Sequence, residues 1–461
     1  MWSDGQIEVT LIEPNKSFVS CPISNLVVGG IKQIGDITVP YDNLARRHGV
    51  KLVQDTVASI DPAKKTVHLA SGDTLPYDRL VLSPGIDFMW DSVRDLQAAS
   101  QAGRILQAWK AGPETVALRR QLEAMPGGGV YAIVIPEAPY RCPAGPYERA
   151  SVVASYFKQA KPKSKVLILD ANADVTSKGP LFKKVWAEQY KGIVEYRPAH
   201  KAVGVDAKAN AVKFEVNDDV KADVLNVLPP MRAGSIAQQT GLANINARWC
   251  AVDFLSYESK VHASIHVLGD SIQIAPLMPK SGHMANQQAK VAAAAIIQMQ
   301  SGKAPHASPV VMNTCYSFVD AKSVVHVASV HQYSAENKTM QVVPGSGGVS
   351  AGPTELEGTY VLAWADHILP TGWRDGSVRG AASVARRVVA ARIVTILMLA
   401  AWPPAQAAFF ISPPTGPRSS RPCASATRPC RNSRRGNSAT GWRLRAGHSR
   451  CCSMPARGVR G

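Results

Sequence analysis

The residues best suited to chemistry in the first 370 positions are four cysteines: Cys21, Cys142, Cys250 and Cys315. Four cysteines spread from residue 21 to residue 315 are too sparse for a disulfide scaffold and too far apart for a local zinc site. We therefore expect no structural metal. Cys142 lies near the start of a predicted helix, where the helix dipole favours a thiolate. Packing of an inert buried thiol explains that position alone equally well.

An acidic residue follows the first predicted strand. Residues 7–15, IEVTLIEPN, form an apolar strand that ends in Glu13 and a Pro-Asn turn. In a dinucleotide-binding fold, an acid at the end of the second strand hydrogen-bonds a ribose hydroxyl. The glycine-rich phosphate loop precedes that acid by about 20 residues, which here places it upstream of Met1. Either Glu13 is a surface acid, or the first strand and phosphate loop are missing; the later motifs favour their loss.

A second α/β unit begins at residues 129–136, GVYAIVIP, but it lacks a nicotinamide fingerprint. Its first turn contains no GxGxxG motif, and bulky Tyr140, Arg141 and Tyr147 stand where a pyrophosphate needs close backbone. NAD(P)H is therefore not the expected electron donor. The turn offers Cys142 instead.

Residues 268–290, LGDSIQIAPLMPKSGHMANQQAK, contain the most specific cofactor signal. A strand ends in Gly269 and Asp270, so the carboxylate can meet the ribityl hydroxyls of a flavin. The Pro-Lys-Ser-Gly turn opens a helix whose free amides can face an electron-rich ring edge. Lys280 would add a positive charge where a reduced flavin carries its negative one. An ordinary strand-turn-helix is the alternative interpretation.

Parallel strands and helices must position these residues. Short strands occupy residues 50–85, and the last runs into Ser83 and Gly85, which we expect at the cofactor. Further predicted elements are a helix over 146–160, strands over 165–172 and 263–270, and a long Ala/Gln helix over 285–300. Their alternation predicts an α/β fold with two Rossmann-like, doubly wound domains. Strand-like pieces over 306–369 predict a small C-terminal α+β domain.

At these residues the chain resembles a known family. The segments YRCPAGPYERAS, LGD with MPKSG, SCPISN and NTCYSFV together resemble the flavoprotein subunit of flavocytochrome c sulfide dehydrogenase. That family is related to sulfide:quinone oxidoreductases within the glutathione-reductase-like flavoproteins. The resemblance covers roughly residues 5–369. It implies FAD as cofactor, sulfide as substrate, a cytochrome c subunit as electron acceptor and a periplasmic location.

The resemblance also implies roles for three cysteines. Cys21 matches the cysteine joined by a thioether to the 8α-methyl group of FAD. Cys142 and Cys315 match the redox cystine over the flavin, and only tertiary folding can join residues so distant in sequence. Hydrosulfide would attack this cystine, leaving a persulfide on one sulfur and a thiolate on its partner. We expect Cys315 to face the flavin and Cys142 to meet sulfide, whereas Cys250 has no matching role and is expected in the core.

No Cys-x-x-Cys-His motif is present, so the haem is expected on the partner subunit. The expected domains are the FAD-binding domain in two parts (1–112 and 246–305), a second Rossmann-like domain (113–245), a C-terminal domain (306–370) and a basic tail (371–461).

The net charge of +18 is concentrated in that tail. Residues 371–461 hold 16 Arg and one Asp with no Lys or Glu, which is 16 − 1 = +15 and leaves 18 − 15 = +3 for the body. No nucleic-acid partner is therefore expected. We interpret the tail as the product of a frame shift or fusion; an arm that binds nucleic acid or anionic lipid is the alternative. We expect it to be mostly unpacked, with an isolated helix around Ile393 to Trp402.

The sequence departs from the family pattern in two ways and leaves two rival functions open. A missing first strand would leave an unfilled position in the FAD-domain sheet, and the N-terminus shows no export signal. A sulfide:quinone oxidoreductase would need amphipathic C-terminal helices and a third catalytic cysteine. A non-enzymatic basic binding protein would depend on the tail, so cutting the chain at residue 370 would abolish its function and spare a flavoenzyme. No apolar run is long enough to cross a bilayer.

Overall fold

A computed structural model describes residues 7–368 and the backbone of the strand 391–397. It has the mixed α/β architecture predicted from the alternating strands and helices. The strands are β1 Ile7–Ile12, β2 Ser17–Val19, β3 Thr38–Pro40, β4 Lys51–Val53, β5 Val57–Asp61, β6 Thr66–Leu69, β7 Thr74–Pro76, β8 Arg79–Ser83, β9 Ile86–Phe88, β10 Val130–Ile135, β11 Lys165–Asp170, β12 Val194–Arg197, β13 Ala202–Asp206, β14 Ala211–Phe214, β15 Val220–Lys221, β16 Val224–Val227, β17 Met231–Ala233, β18 Val252–Asp253, β19 Glu258–Ser259, β20 Ile265–Val267, β21 Val310–Phe318, β22 Val324–Ser334, β23 Thr339–Val342, β24 Gly348–Val349 and β25 Ala391–Leu397.

The helices connect these strands, and three short 3₁₀ turns lie at Ile34–Ile37, Trp90–Ser92 and Gly269–Ser271. The α-helices are α1 Ser24–Val28, α2 Asp42–His48, α3 Leu96–Gln101, α4 Pro113–Ala124, α5 Gly145–Ala160, α6 Gly179–Glu188, α7 Ser235–Gln239, α8 Gly282–Gln300 and α9 Glu355–Ile368.

The largest sheet has seven strands in the order β18-β19-β20-β8-β25-β1-β4. The strands from β20 to β4 run parallel, and β18 and β19 add antiparallel pairs at one edge. Strands from the start of the chain therefore share one sheet with strands from residues 252–267. Parallel order places the carboxyl ends of β8 and β20 side by side, where ligands of open α/β sheets bind.

The strand β25 corrects two expectations about the tail. It lies between β1 and β8 and runs parallel to both, with Ile396 level with Ile12 on one side and Leu82 on the other. The sheet position expected to be unfilled is thus occupied. The expected helix from Ile393 is also wrong as far as Leu397, because these residues form a strand; the rest of that segment lies outside the described residues.

The second α/β unit contains a four-stranded parallel sheet in the order β12-β11-β10-β16. The helix α5 packs against it and has 12 buried residues, including Glu148 and Arg149. A helix buried on nearly all sides cannot face solvent with a polar stripe, so its charged residues must find partners inside the protein.

The last unit is an antiparallel sheet in which β22 pairs with β21, β23 and β24. The helix α9 contacts β21 and β22 on this sheet. The strand β21 also contacts α5 and α8, which brings the C-terminal unit against both α/β units. This contact region holds the candidate functional site.

Candidate flavin and cysteine site

One cavity is lined by Cys21, Cys142 and Cys315. These cysteines come from three elements: the turn before α1, the turn before α5 and the strand β21. All three are free thiols in the structure. Folding therefore brings together the three cysteines that the sequence analysis singled out, whereas Cys250 is fully buried in the core, as expected for a packing residue.

Cys142 is held by backbone contacts in a left-handed turn. Its φ is 58°, its N–H donates to the Lys280 carbonyl at 2.8 Å, and its own carbonyl accepts from the Gly145 N–H at 2.8 Å. A Cβ atom on Gly145 would lie 2.9 Å from the Cys142 Sγ and 2.6 Å from the Trp109 ring. Glycine is therefore required there for the thiol, the ring and the helix start to approach so closely.

Burial controls the acidity of the Cys142 thiol. Desolvation, followed by the charge of Cys315, raises the pKa of Cys142 to about 12. The position of Cys142 near a helix start predicts instead that the helix dipole favours a thiolate. That direction is wrong for this structure, because the cost of a charged sulfur in a buried site exceeds the help from nearby cations.

Cys315 lies in the middle of β21, opposite Val327 of β22. Its Sγ is 3.3 Å from both the Oδ1 and the Nδ2 of Asn313, two residues earlier on the same strand. The Asn313 side chain also accepts a 2.6 Å hydrogen bond from Ser281 Oγ at the start of α8. The thiol is therefore positioned against the turn that carries the predicted cofactor motif.

Two buried charges flank the cysteines and were not identified from the sequence. Lys178 Nζ donates to the Cys315 carbonyl and to Ser317 Oγ, both at 2.8 Å. Glu148 accepts from the Phe318 N–H at 3.0 Å and from Asn25 Nδ2 at 2.9 Å. Burial lowers the pKa of Lys178 and raises the pKa of Glu148.

Cys21 lies at another part of the same cavity. Its Sγ accepts a long hydrogen bond, 3.5 Å, from the Ala111 N–H. Four residues later, Asn25 accepts from Arg149 Nε at 2.9 Å. The Arg149 guanidinium also donates to Asn226 and to the Gln107 and Ala108 carbonyls. This buried network fixes the turn that holds Cys21 against α5.

The Gly-Asp motif follows β20 as the sequence predicts. Gly269 has a φ of 76°, and its N–H donates to Gln288 Oε1 at 2.8 Å. Ser271 Oγ donates to the Gly85 carbonyl at 2.5 Å, and a Cβ on Gly269 would lie 3.5 Å from Ser83 Oγ. Ser83, Gly85 and Gly269 therefore meet at the carboxyl ends of β8 and β20.

Asp270 lines the cavity and is 1% exposed. Neither carboxylate oxygen has a hydrogen-bond partner among the described residues. Burial raises the pKa of Asp270, while the charges of Arg141 and Lys280 act in the opposite direction. Two unpaired acceptors in a buried cavity fit the hydroxyl groups of a ribityl chain, so this part of the site fits FAD.

Lys280 and Glu13 are buried but do not line the cavity. Lys280 Nζ donates to the Asp270 and Ile272 carbonyls and lies 3.6 Å from the centre of the Trp249 ring, and Lys280 is not a lining residue. Burial lowers the pKa of Lys280 to about 7. Glu13 is buried at the end of β1, where its Oε1 accepts from the Asn15 N–H and Nδ2. Burial raises the pKa of Glu13.

Two segments of the chain match models of one protein family. Residues 115–229 match the model "Sulfide dehydrogenase [flavocytochrome c] flavoprotein chain, central", and residues 307–371 match "Flavocytochrome c sulphide dehydrogenase, flavin-binding". Both models describe the flavoprotein chain of flavocytochrome c sulfide dehydrogenase, which these two segments resemble. The second segment contains Cys315, and the first contains Cys142 and Lys178. The resemblance seen in the sequence is confirmed.

Solved structures agree on the fold. The sulfide:quinone oxidoreductase of the hyperthermophilic bacterium Aquifex aeolicus superimposes with a TM-score of 0.63 at 16% identity, covering 80% of this chain and 89% of that one. A NAD-dependent persulfide reductase from A. fulgidus gives a TM-score of 0.52 at 15% identity, covering 78% and 74%. A ferredoxin reductase from Rhodopseudomonas palustris gives 0.54 at 15%, covering 79% and 88%. These likenesses confirm the predicted fold class.

Together, the matched family models and the fold support a flavin-dependent oxidoreductase of sulfur compounds. Across the described residues, no cluster of three or more His, Cys, Asp or Glu side chains could hold a metal ion. Nor does any helix in the described part of the chain have the length and apolar character needed to cross a membrane.

Proposed function

We propose that the protein oxidises sulfide to sulfur or polysulfide with FAD, through a redox cystine of Cys142 and Cys315. It then passes the electrons to a cytochrome c subunit in the periplasm. The observation that carries the proposal is the shared cavity: both cysteines line it together with Asp270, whose unpaired carboxylate fits FAD. Burial, and after it the charge of Cys315, raises the pKa of Cys142, so the two thiols lie close enough to interact electrostatically.

Each catalytic cycle consumes one hydrosulfide and transfers two electrons. Hydrosulfide attacks one sulfur of the Cys142–Cys315 disulfide, which leaves a persulfide on that residue and a thiolate on the other. FAD, when bound, supplies the acceptor for the electron pair. The cysteine pair would pass two electrons to bound FAD as the bond to the outer sulfur breaks and the bond between Cys142 and Cys315 re-forms. The net conversion, HS⁻ + FAD to S⁰ + FADH⁻, balances in atoms and electrons. FAD held at this site would link the cysteine pair to the haem of the partner subunit, which would take up the electrons.

Nearby residues support this sequence. Glu148 lines the cavity and has a raised pKa because it is buried, so it can hold a proton beside the cysteines. Lys178 places a buried positive charge on the backbone of Cys315. Both features favour the brief presence of anionic sulfur in a site that otherwise disfavours it.

The full chain loaded with FAD tests the proposal. Anaerobic sulfide should bleach the flavin absorbance, and Cys142→Ser or Cys315→Ser should slow the bleaching at least a hundredfold. Cys250→Ala is the matched control, because Cys250 is buried outside the cavity. Retention of the full bleaching rate in either cavity variant would refute the catalytic role of a Cys142–Cys315 cystine. Faster reoxidation by a quinone than by cytochrome c would favour a sulfide:quinone oxidoreductase instead.

We also propose that Cys21 carries the flavin covalently. In the wild-type protein, acid and denaturant should then leave the yellow colour on the chain, whereas Cys21→Ser should release it. Mass spectrometry of the peptide that contains Cys21 measures the bound flavin directly. Release of all flavin from the wild-type protein by denaturant would refute the thioether. Glu13, Ser83, Gly85, Gly269 and Lys280 remain proposed cofactor contacts alongside Asp270.

A further inference from the structure

The guanidinium of Arg141 is buried with part of its hydrogen-bonding capacity unused. The residue is 4% exposed and lines the cavity. Its Nη2 donates to the Trp109 carbonyl, but its Nη1 has no partner among the described residues. An arginine stays charged at all ordinary pH values, and buried donors of this kind are normally satisfied. The free Nη1 therefore points to an acceptor on a ligand.

Asp270 provides the complementary half of this arrangement. It lines the same cavity, and both of its carboxylate oxygens are unpaired. Arg141 and Asp270 do not pair with each other directly, although the charge of Arg141 lowers the pKa of Asp270 against the effect of burial. A ligand that satisfies both side chains must present acceptors to Arg141 and donors to Asp270. A flavin nucleotide does so, with ring nitrogens and carbonyls near ribityl hydroxyls.

The cation expected to face the flavin was Lys280, but its contacts differ. Its ammonium is engaged by two backbone carbonyls and by the Trp249 ring. Arg141, by contrast, lines the cavity and precedes Cys142 in the chain. Its charge also lowers the pKa of Cys142 against the larger effect of burial.

We propose that Arg141 is a flavin-binding residue whose Nη1 donates to the acceptor edge of the ring and stabilises the negative charge of reduced flavin. This inference rests on the proposed function, since it takes FAD as the ligand. One fixed cation would then favour both the sulfur anion and the reduced ring, between which the electron pair passes. Because arginine does not lose its proton, this stabilisation would not vary with pH in the working range.

The test uses the FAD-loaded full chain and measures the flavin midpoint potential against reference dyes, together with the FAD content. Arg141→Gln should shift the oxidation–reduction equilibrium towards oxidised flavin by at least tenfold, about 30 mV for a two-electron couple. Arg141→Lys should lie between wild type and Arg141→Gln, because lysine keeps the charge but not the planar fork. The exposed Arg232→Gln on β17 should leave both values unchanged.

The outcomes separate this inference from the proposed function. An unchanged potential and FAD content in both Arg141 variants would overturn the role of Arg141. A shift in Lys280→Gln with none in the Arg141 variants would overturn it in favour of Lys280. If the wild-type chain binds FAD and sulfide bleaches its flavin, but the Arg141 variants keep the wild-type potential and FAD content, only this inference fails. A wild-type chain that binds no FAD overturns both.

Discussion

At the scale of single residues, burial sets the chemistry of Cys142. Its pKa is raised to about 12, first by desolvation and then by the charge of Cys315. A free cysteine has a pKa of about 8.5. The reduced thiol is therefore a poor nucleophile at neutral pH, whereas the disulfide form needs no ionisation of the protein to be attacked by hydrosulfide. This agrees with a reaction that starts from the disulfide between Cys142 and Cys315.

The raised pKa predicts how the reduced protein reacts with iodoacetamide. At pH 9 roughly a thousandth of Cys142 should be thiolate, so its alkylation should be far slower than that of free cysteine. The rate should continue to rise with pH beyond 9 without levelling off. Peptide mass spectrometry across a pH series measures this. An alkylation rate that reaches its plateau near pH 9 would show that the pKa of the Cys142 thiol is not raised.

Gly145 predicts a second residue-scale effect. Alanine normally favours a helix over glycine by about 1 kcal/mol. At Gly145 the added Cβ would meet the Trp109 ring and the Cys142 Sγ below 3.0 Å, so Gly145→Ala should destabilise the fold by about 1–3 kcal/mol and slow sulfide oxidation. Denaturant unfolding and flavin bleaching measure the two effects.

A matched glycine serves as the control for that variant. Gly127 has no atom within 4 Å of an added Cβ, and it is not among the glycines with positive φ. Gly127→Ala should change stability by no more than about 0.5 kcal/mol. If Gly145→Ala is as stable and active as Gly127→Ala, the close packing around Cys142 is wrong.

At the scale of elements, hydrophobic patterns predicted the frame of the site. Alternation and apolar runs located β1, β10, α5, β11 and α8, because these elements bury a face or are buried entirely. The elements around Lys178 were not predicted, and the charged pair Glu148 and Arg149 gave no sign of burial. Its only signal was the apolar surroundings of YERAS, which predict a helix but not which of its charges face inward.

The strand β25 is the clearest element that the sequence analysis missed. Composition separated the tail from the body, and the apolar stretch after Arg392 could form either a helix or a strand. Seven residues are too few for the two periods to be told apart, and pairing with distant strands decides between them. Two parallel neighbours, β1 and β8, select the strand.

This pairing predicts the effect of shortening the chain. A chain ending at residue 370 loses β25 and leaves β1 and β8 without their shared neighbour, so its melting temperature should fall by about 5 °C or more. A chain ending at residue 410 retains β25 and should melt close to the full chain. Thermal unfolding followed by circular dichroism measures both. Equal melting temperatures for the two truncations would show that β25 does not stabilise the sheet.

At the scale of the whole molecule, the site lies where three units meet. Cys21 comes from the first α/β unit, Cys142 from the second and Cys315 from the C-terminal sheet. The family resemblance predicted that Cys142 and Cys315 meet, but the residues alone could not, since 173 residues separate them. The unpaired groups of Arg141 and Asp270 also emerge only in three dimensions, because hydrogen-bond satisfaction depends on neighbours far away in sequence.

The central claim is that Cys142 and Cys315 form a disulfide that sulfide opens. Disulfide mapping of the oxidised full chain, by alkylation, proteolysis under non-reducing conditions and mass spectrometry, tests it most directly. We predict a linked pair of peptides containing Cys142 and Cys315. The pair should be lost when sulfide is added together with the alkylating reagent, because the reagent traps the persulfide and the free thiolate before the disulfide re-forms. Recovery of both cysteines in alkylated form from the oxidised protein would contradict the account.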